Sequence, residues 1–167
     1  MRAFKGQTIV EMLVVLGVFA LLSAMLVTFS RSGDLQGRLS RSVDVLVYDI
    51  RRVQETSYFS REYQGTIPCG YALSFATSSY MIQTATSADC SNPSSYVFAD
   101  ANALSEYKRN LTSSIQIQSV TSNPIVFVRP APRVYFFPDA EQAQITMSVG
   151  GLSETVTINK YGGINVQ

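Results

Sequence analysis

The sequence predicts an α+β protein: one long N-terminal helix, apolar in its first half and amphipathic in its second, packed on an antiparallel β-sheet. Three observations lead there. The run from Met12 to Ser30 carries no charge at all. From Leu35 to Val53 apolar residues recur at helical spacing, and no proline stands between Met1 and Ile67. Beyond Tyr63 the residues Gly65, Pro68 and Gly70 end that pattern, and short runs of β-type residues take over.

The uncharged run comes first. As a helix it spans about 28 Å at roughly 1.5 Å per residue, close to the hydrocarbon thickness of a bilayer at about 30 Å. A buried core helix is the alternative, but a helix apolar all round needs a protein shell on every side. A cleaved secretory signal is a second alternative. Arg2 and Lys5 resemble its basic end, yet Ala20, Ser23 and Ala24 are not spaced for its cleavage site. The third reading is an uncleaved anchor with the basic end inside. Arg31, Arg38 and Arg41 on the far side weaken the charge asymmetry that would orient it. Glu11 fits none of these easily, because a carboxylate at the front of a span costs up to roughly 2.5–3.5 kcal/mol at the helix centre.

Next, Leu35, Leu39, Val43, Leu46, Ile50 and Val53 form one apolar face. Arg38, Arg41, Asp44, Asp49, Arg51 and Arg52 are assigned to the rest of the helix surface. One helix can therefore run from about Thr8 to about Phe59. Gly17, Gly33 and Gly37 each weaken it by about 1 kcal/mol relative to Ala. Gly33 and Gly37 are candidate points of bending or local melting, or of close helix packing. The Arg51-Arg52 pair is read as a solvated helix face rather than a nucleic-acid patch.

The remainder is read as strands at 71–76, 79–84, 114–120, 125–128, 133–137, 143–149 and 154–159. Gln144 to Val149 alternates polar and apolar, Gly150-Gly151 makes a turn, and Glu154 to Asn159 alternates again. That is a hairpin with one buried face. The sheet supplies the apolar surface that the amphipathic half of the helix needs.

Composition removes several classes of function. With 167 residues and a net charge of +1 there is one domain plus an appendage and no global field for polyanions. Histidine is absent, which removes the commonest general base and transition-metal ligand. No G-x-S-x-G is present, so no activated serine is legible. The sequence therefore predicts no enzyme, no cofactor and no metal. Asp100, Asn102 and Glu106 lack the glycine and dense acids of a calcium loop and are read as a surface turn. Asn110-Leu111-Thr112 fits a glycosylation sequon. Arg129 and Arg133, flanking Pro130-Ala131-Pro132, are the best remaining basic pair and the candidate nucleic-acid contacts.

Lys5-Gly6 followed by Gln7-Thr8-Ile9-Val10-Glu11 and the apolar run resembles the processing site of type IV prepilins and the related pseudopilins. The resemblance implies a leader of residues 1–6 cut after Gly6 by a prepilin peptidase. It implies a mature N-terminus at Gln7, the N-methylated position, with Thr8 and Glu11 as assembly residues. Gln7 departs from the usual Phe or Met. The family's architecture then assigns 7–30 to a transmembrane and filament-core helix, 31–62 to its amphipathic continuation, and 63–167 to a β-rich pilin domain. The stretch from Val156 to Ile164 resembles the last strands of GspH/FimT-type minor pilins.

The implied function is a structural subunit, a minor pilin or pseudopilin, of a type IV pilus or type II secretion-type filament. The implied localisation is a single-pass bacterial inner-membrane protein, N-terminus cytoplasmic and globular domain extracytoplasmic, that then enters the filament. Its partners would be other pilin subunits, the peptidase, the inner-membrane assembly platform and the lipid bilayer. The alternative is a membrane-anchored binding module, such as a DNA-uptake minor pilin, although the tail offers only Lys160 as a basic residue. Outside the cytoplasm Cys69 and Cys90 are expected to form a disulfide, with two free buried thiols as the alternative.

Overall fold

A computed structural model describes residues 9–59, 67–99, 108–129 and 133–167, with side chains described outside 26–32 and 99. The chain divides into two compact units, 1–37 and 38–167. A single helix, α1, spans Ile9–Tyr58. It passes through Gly33 and Gly37 without interruption, so neither glycine breaks it. A methyl group added at Gly17, Gly33 or Gly37 would meet nothing within 4 Å, so no contact in the chain itself requires glycine there.

Within the second unit the helix buries the face read from the sequence. Leu39, Val43, Leu46, Ile50 and Val53 are all essentially inaccessible. Leu35, the first residue of that stripe, is only half-buried. Asp49 departs from expectation: it is buried at 4 % exposure rather than solvated. Three residues after Leu46 and four before Val53, it stands on the apolar stripe itself, since such pairs share a helix face.

The β-rich part forms two antiparallel sheets, where the sequence suggested one. The first contains β1 (Gly70–Ala76), β2 (Ser79–Thr86), β3 (Val97–Ala99), β4 (Lys108–Asn110), β6 (Ile125–Val128) and β7 (Arg133–Phe136), in the order β3-β2-β1-β6-β7 with β4 also on β2. The second contains β5 (Gln116–Val120), β8 (Gln142–Val149), β9 (Leu152–Asn159) and β10 (Ile164–Val166), in the order β10-β9-β8-β5. The seven strands expected from the sequence are present with ends shifted by one or two residues. The three-residue strands β3, β4 and β10 were not anticipated, being too short to show a period.

The β8–β9 hairpin has the expected register, with Val149 opposite Leu152. Gly150 and Gly151 form its two-residue loop at φ of 55° and 87°. Positive φ at both positions matches the right-handed twist of the flanking strands and favours glycine there. Ala143, Ile145, Met147 and Val149 face inward from β8, and Val156 and Ile158 from β9.

In the first sheet one face carries Leu73, Tyr80, Ile125 and Phe127, and the Tyr80 hydroxyl on it meets Asp49 of α1. The opposite face carries a small separate cluster of Cys69, Ala72, Ala85, Tyr96 and Val126. Cys69 and Cys90 are joined by a disulfide, the expected pairing. Cys69 immediately precedes β1, so the bond straps the 87–96 segment over that face. The Tyr96 hydroxyl donates to the Cys90 carbonyl at 2.8 Å from the same segment.

Candidate assembly interface

A long exposed apolar surface lies on the first part of α1. From Ile9 to Met25 every described residue is exposed, including Ile9 at 81 %, Phe19 at 68 % and Leu21 at 74 %. Residues on all sides of the helix contribute, so this is not one stripe awaiting a sheet. Burying one such side chain is worth about 1.5–3 kcal/mol, and a contiguous patch of this kind marks a partner or membrane site. Glu11 is the only charged residue of the stretch and lies in the first turn of α1, exposed. Gly6, Gln7 and Thr8 lie outside the described residues, as do the leader and the expected cleavage bond. Among the described residues no helix is long and apolar enough to cross a membrane. The uncharged run in the sequence continues to Ser30.

Further along, the side chains of Asp49, Ser57 and Gln54 hold α1 to the β-rich part. Asp49 accepts a hydrogen bond from the Tyr80 hydroxyl at 2.6 Å. It also accepts two from Arg109 of β4, at 3.2 Å from Nε and 3.3 Å from Nη2. Arg109 is half exposed, so water screens much of its attraction, whereas Tyr80 is 1 % exposed and its bond is the drier one. Burial first, and the Asp49 carboxylate second, push the Tyr80 hydroxyl well above the usual tyrosine range. Asp49 in turn holds the Arg109 guanidinium above its ordinary value. Ser57 Oγ donates to the Phe127 carbonyl at 2.7 Å, and Gln54 Nε2 to the Gly162 carbonyl at 2.8 Å. These contacts join α1 to the first sheet and to the loop between β9 and β10 of the second. Sequence pattern alone identified none of them, because each pairs residues far apart in the chain.

Arg129 is half-buried just after β6, and Arg133 is exposed at the start of β7, opposite Val128. A cleft of about 340 Å³ brings Arg133 together with Arg51, Tyr58, Phe127 and Tyr161. Arg129 does not line it. Arg51, assigned to a solvated face, thus shares a concave surface with Arg133, and the acid Glu55 sits beside them. Asp100, Asn102 and Glu106 lie outside the described residues. Among the described residues no three His, Cys, Asp or Glu side chains group as a metal site.

Residues 1–27 match the family model described as the prokaryotic N-terminal methylation motif. No curated protein and no solved structure matches the chain.

Proposed function

We propose, from the type IV pilin and pseudopilin prepilin signal that residues 1–27 carry, that this chain is a minor structural subunit of a type IV pilus or type II secretion-type filament. The observation that supports this most is the all-round exposed apolar helix of Ile9–Met25 with Glu11 as its single charge. Such a surface suits two successive environments, a bilayer and then a bundle of identical helices, and neither needs a catalytic site.

In this reading residues 1–6 are the leader, and the peptidase cuts after Gly6 to free the amine of Gln7, which is then methylated. Residues 7–30 form the inner-membrane span and later the filament core, with the N-terminus cytoplasmic. Residues 31–62 continue the helix, and 63–167 form the extracytoplasmic domain. The assembly platform extracts the subunit from the bilayer into the filament. Glu11 pairs with the N-terminal amine of a neighbouring subunit. A buried ion pair adds little net stability but heavily penalises any stacking register that leaves one charge alone. Cleavage and carboxylate therefore act as one device, since the cut creates the amine. N-methylation keeps that amine charged.

The test is mass spectrometry of the mature N-terminus from membranes. A chain beginning at Gln7, with or without one methyl group, is the expected result. An intact Met1 in cells with an active peptidase would overturn the reading and leave a plain anchor.

A second reading is supported by the cleft that joins Arg51 and Arg133 to exposed Tyr58 and Tyr161. Cations beside aromatic rings suit a single-stranded nucleic acid, through phosphate contact and base stacking. Here the chain would be a membrane-anchored DNA-binding module. A DNA shift assay with Arg51, Arg129 and Arg133 neutralised separates the two: unchanged or absent binding removes the module reading.

A further inference from the structure

The sheet β10-β9-β8-β5 turns an unusual face outward. Every outward position from Gln142 to Ser148 on β8, and from Ser153 to Asn159 on β9, is Gln, Asn, Ser or Thr. Asn165 continues the pattern on β10, opposite Thr157, and Gln116 and Ser119 continue it on β5, opposite Ser148 and Thr146. No charge and no large apolar side chain interrupts it. The neighbouring cation Lys160 is engaged by Glu141 at 2.7 Å and Asp139 at 3.8 Å.

The polar groups of this face are unequally occupied. Thr146 and Thr155 hydrogen-bond each other at 3.1 Å, and Asn159 Oδ1 accepts from the Tyr161 and Gly163 amides. Among the described residues the side chains of Gln142, Gln144, Thr157, Asn165 and Gln167 make no hydrogen bond within the chain. These unengaged groups are together, lining a groove of about 350 Å³. Neighbouring strands place them about 4.8 Å apart, and successive outward positions along a strand lie about 6.8 Å apart.

We propose that this groove binds a neutral glycan. Each amide presents two donors beside an acceptor, and each hydroxyl presents both, which mirrors the donor-and-acceptor character of sugar hydroxyls. An anionic ligand would call for Arg or Lys on the face, and a cationic one for carboxylates; neither is there. An extended peptide is recognised by main-chain bonds at a sheet edge, whereas these groups stand on a face. The uncharged groups also lose less on desolvation than ions would. The inference stands apart from the filament reading, as it uses only the second sheet.

The test titrates the full chain, in micelles of a sugar-free detergent, with maltoheptaose, cellohexaose and chitohexaose, and with polygalacturonate as the acidic comparison. Binding is followed by saturation-transfer NMR and calorimetry. At least one neutral oligosaccharide should bind, with a Kd that does not move between low and high salt. The double variant Gln144→Ala/Asn165→Ala should weaken it tenfold or more while its urea midpoint stays at the wild-type value. Gln116→Ala, across the sheet on β5, should leave the Kd unchanged. Absence of binding to all three neutral sugars overturns the proposal. So does a Kd that the double variant leaves intact, or a salt-dependent preference for polygalacturonate.

Discussion

Replacing Asp49 by Ala removes the carboxylate that holds α1 to β2 and β4. Its partner Tyr80 is 1 % exposed, so the hydroxyl would be left buried without an acceptor. A bond from a neutral donor to a carboxylate is worth about 1.5–3 kcal/mol, and stranding a buried hydroxyl costs about 1–3. These two figures describe one contact and are not summed. The half-exposed Arg109 can turn to water, and its share is held below about 1 kcal/mol by screening. Asp49→Ala is therefore expected to destabilise the chain by about 2–4 kcal/mol, Tyr80→Phe by about 1.5–3 and Arg109→Ala by less than about 1.

The double variant Asp49→Ala/Tyr80→Phe should be no less stable than the worse single one, a coupling of about 1.5–3 kcal/mol. Urea unfolding followed by circular dichroism, with the chain in micelles and its disulfide intact, measures all four states. A coupling under about 0.5 kcal/mol would refute the argument that the dry Tyr80 bond, not the visible ion pair, carries the contact. The same contact has a pH signature. The folded Tyr80 hydroxyl keeps its proton above the ordinary tyrosine value of 10.0 because burial and Asp49 oppose ionisation. The unfolded chain gives that proton up near 10, so the native state then holds more protons and stability falls as pH rises. The contribution is whole below pH 10 and declines from there up to the raised folded value, by up to about 1.4 kcal/mol per pH unit. Tyr80→Phe should remove that part of the alkaline slope.

Two further outcomes follow from the covalent and charged features. The double variant Cys69→Ser/Cys90→Ser opens a loop of sequence separation 21 and should lower unfolding stability by about 3 kcal/mol; a loss under about 1 kcal/mol in urea melts would mean that packing alone holds the 87–96 segment. Glu11→Ala should leave the chain in the membrane fraction but out of filaments sheared from cells, and normal incorporation would remove the pairing role given to that carboxylate.

The helix was legible because its two signals are local. An uncharged run and a 4-4-3-4-3 spacing both follow from 3.6 residues per turn, and they survive whatever packs on them. The β8–β9 hairpin was legible for the same reason, as alternation and a Gly-Gly turn are contained in eighteen residues, 142–159. Strands β3 and β4 were not, because three residues carry no period and each exists only where β2 offers it hydrogen bonds. The division into two sheets is likewise a matter of which strand edges meet.

The prokaryotic N-terminal methylation motif matched over residues 1–27 was legible in the sequence by itself, because it rests on local spacing. The Cys69–Cys90 pairing was expected from the sequence, with two free thiols as the alternative, but that it straps the 87–96 segment over one face of the first sheet was visible only in the structure. What only the tertiary structure decided is the chemistry of residues whose partners are distant. Asp49 looked like one more surface acid until Tyr80, 31 residues away, and Arg109, 60 away, closed around it. Gln144 and Asn165 looked like ordinary strand polar residues until the register set them on one outward face with their amides unengaged. Periodicity reports which side of an element a residue occupies. Desolvation and hydrogen-bond satisfaction depend on what lies across the gap, and that is set only when the elements pack.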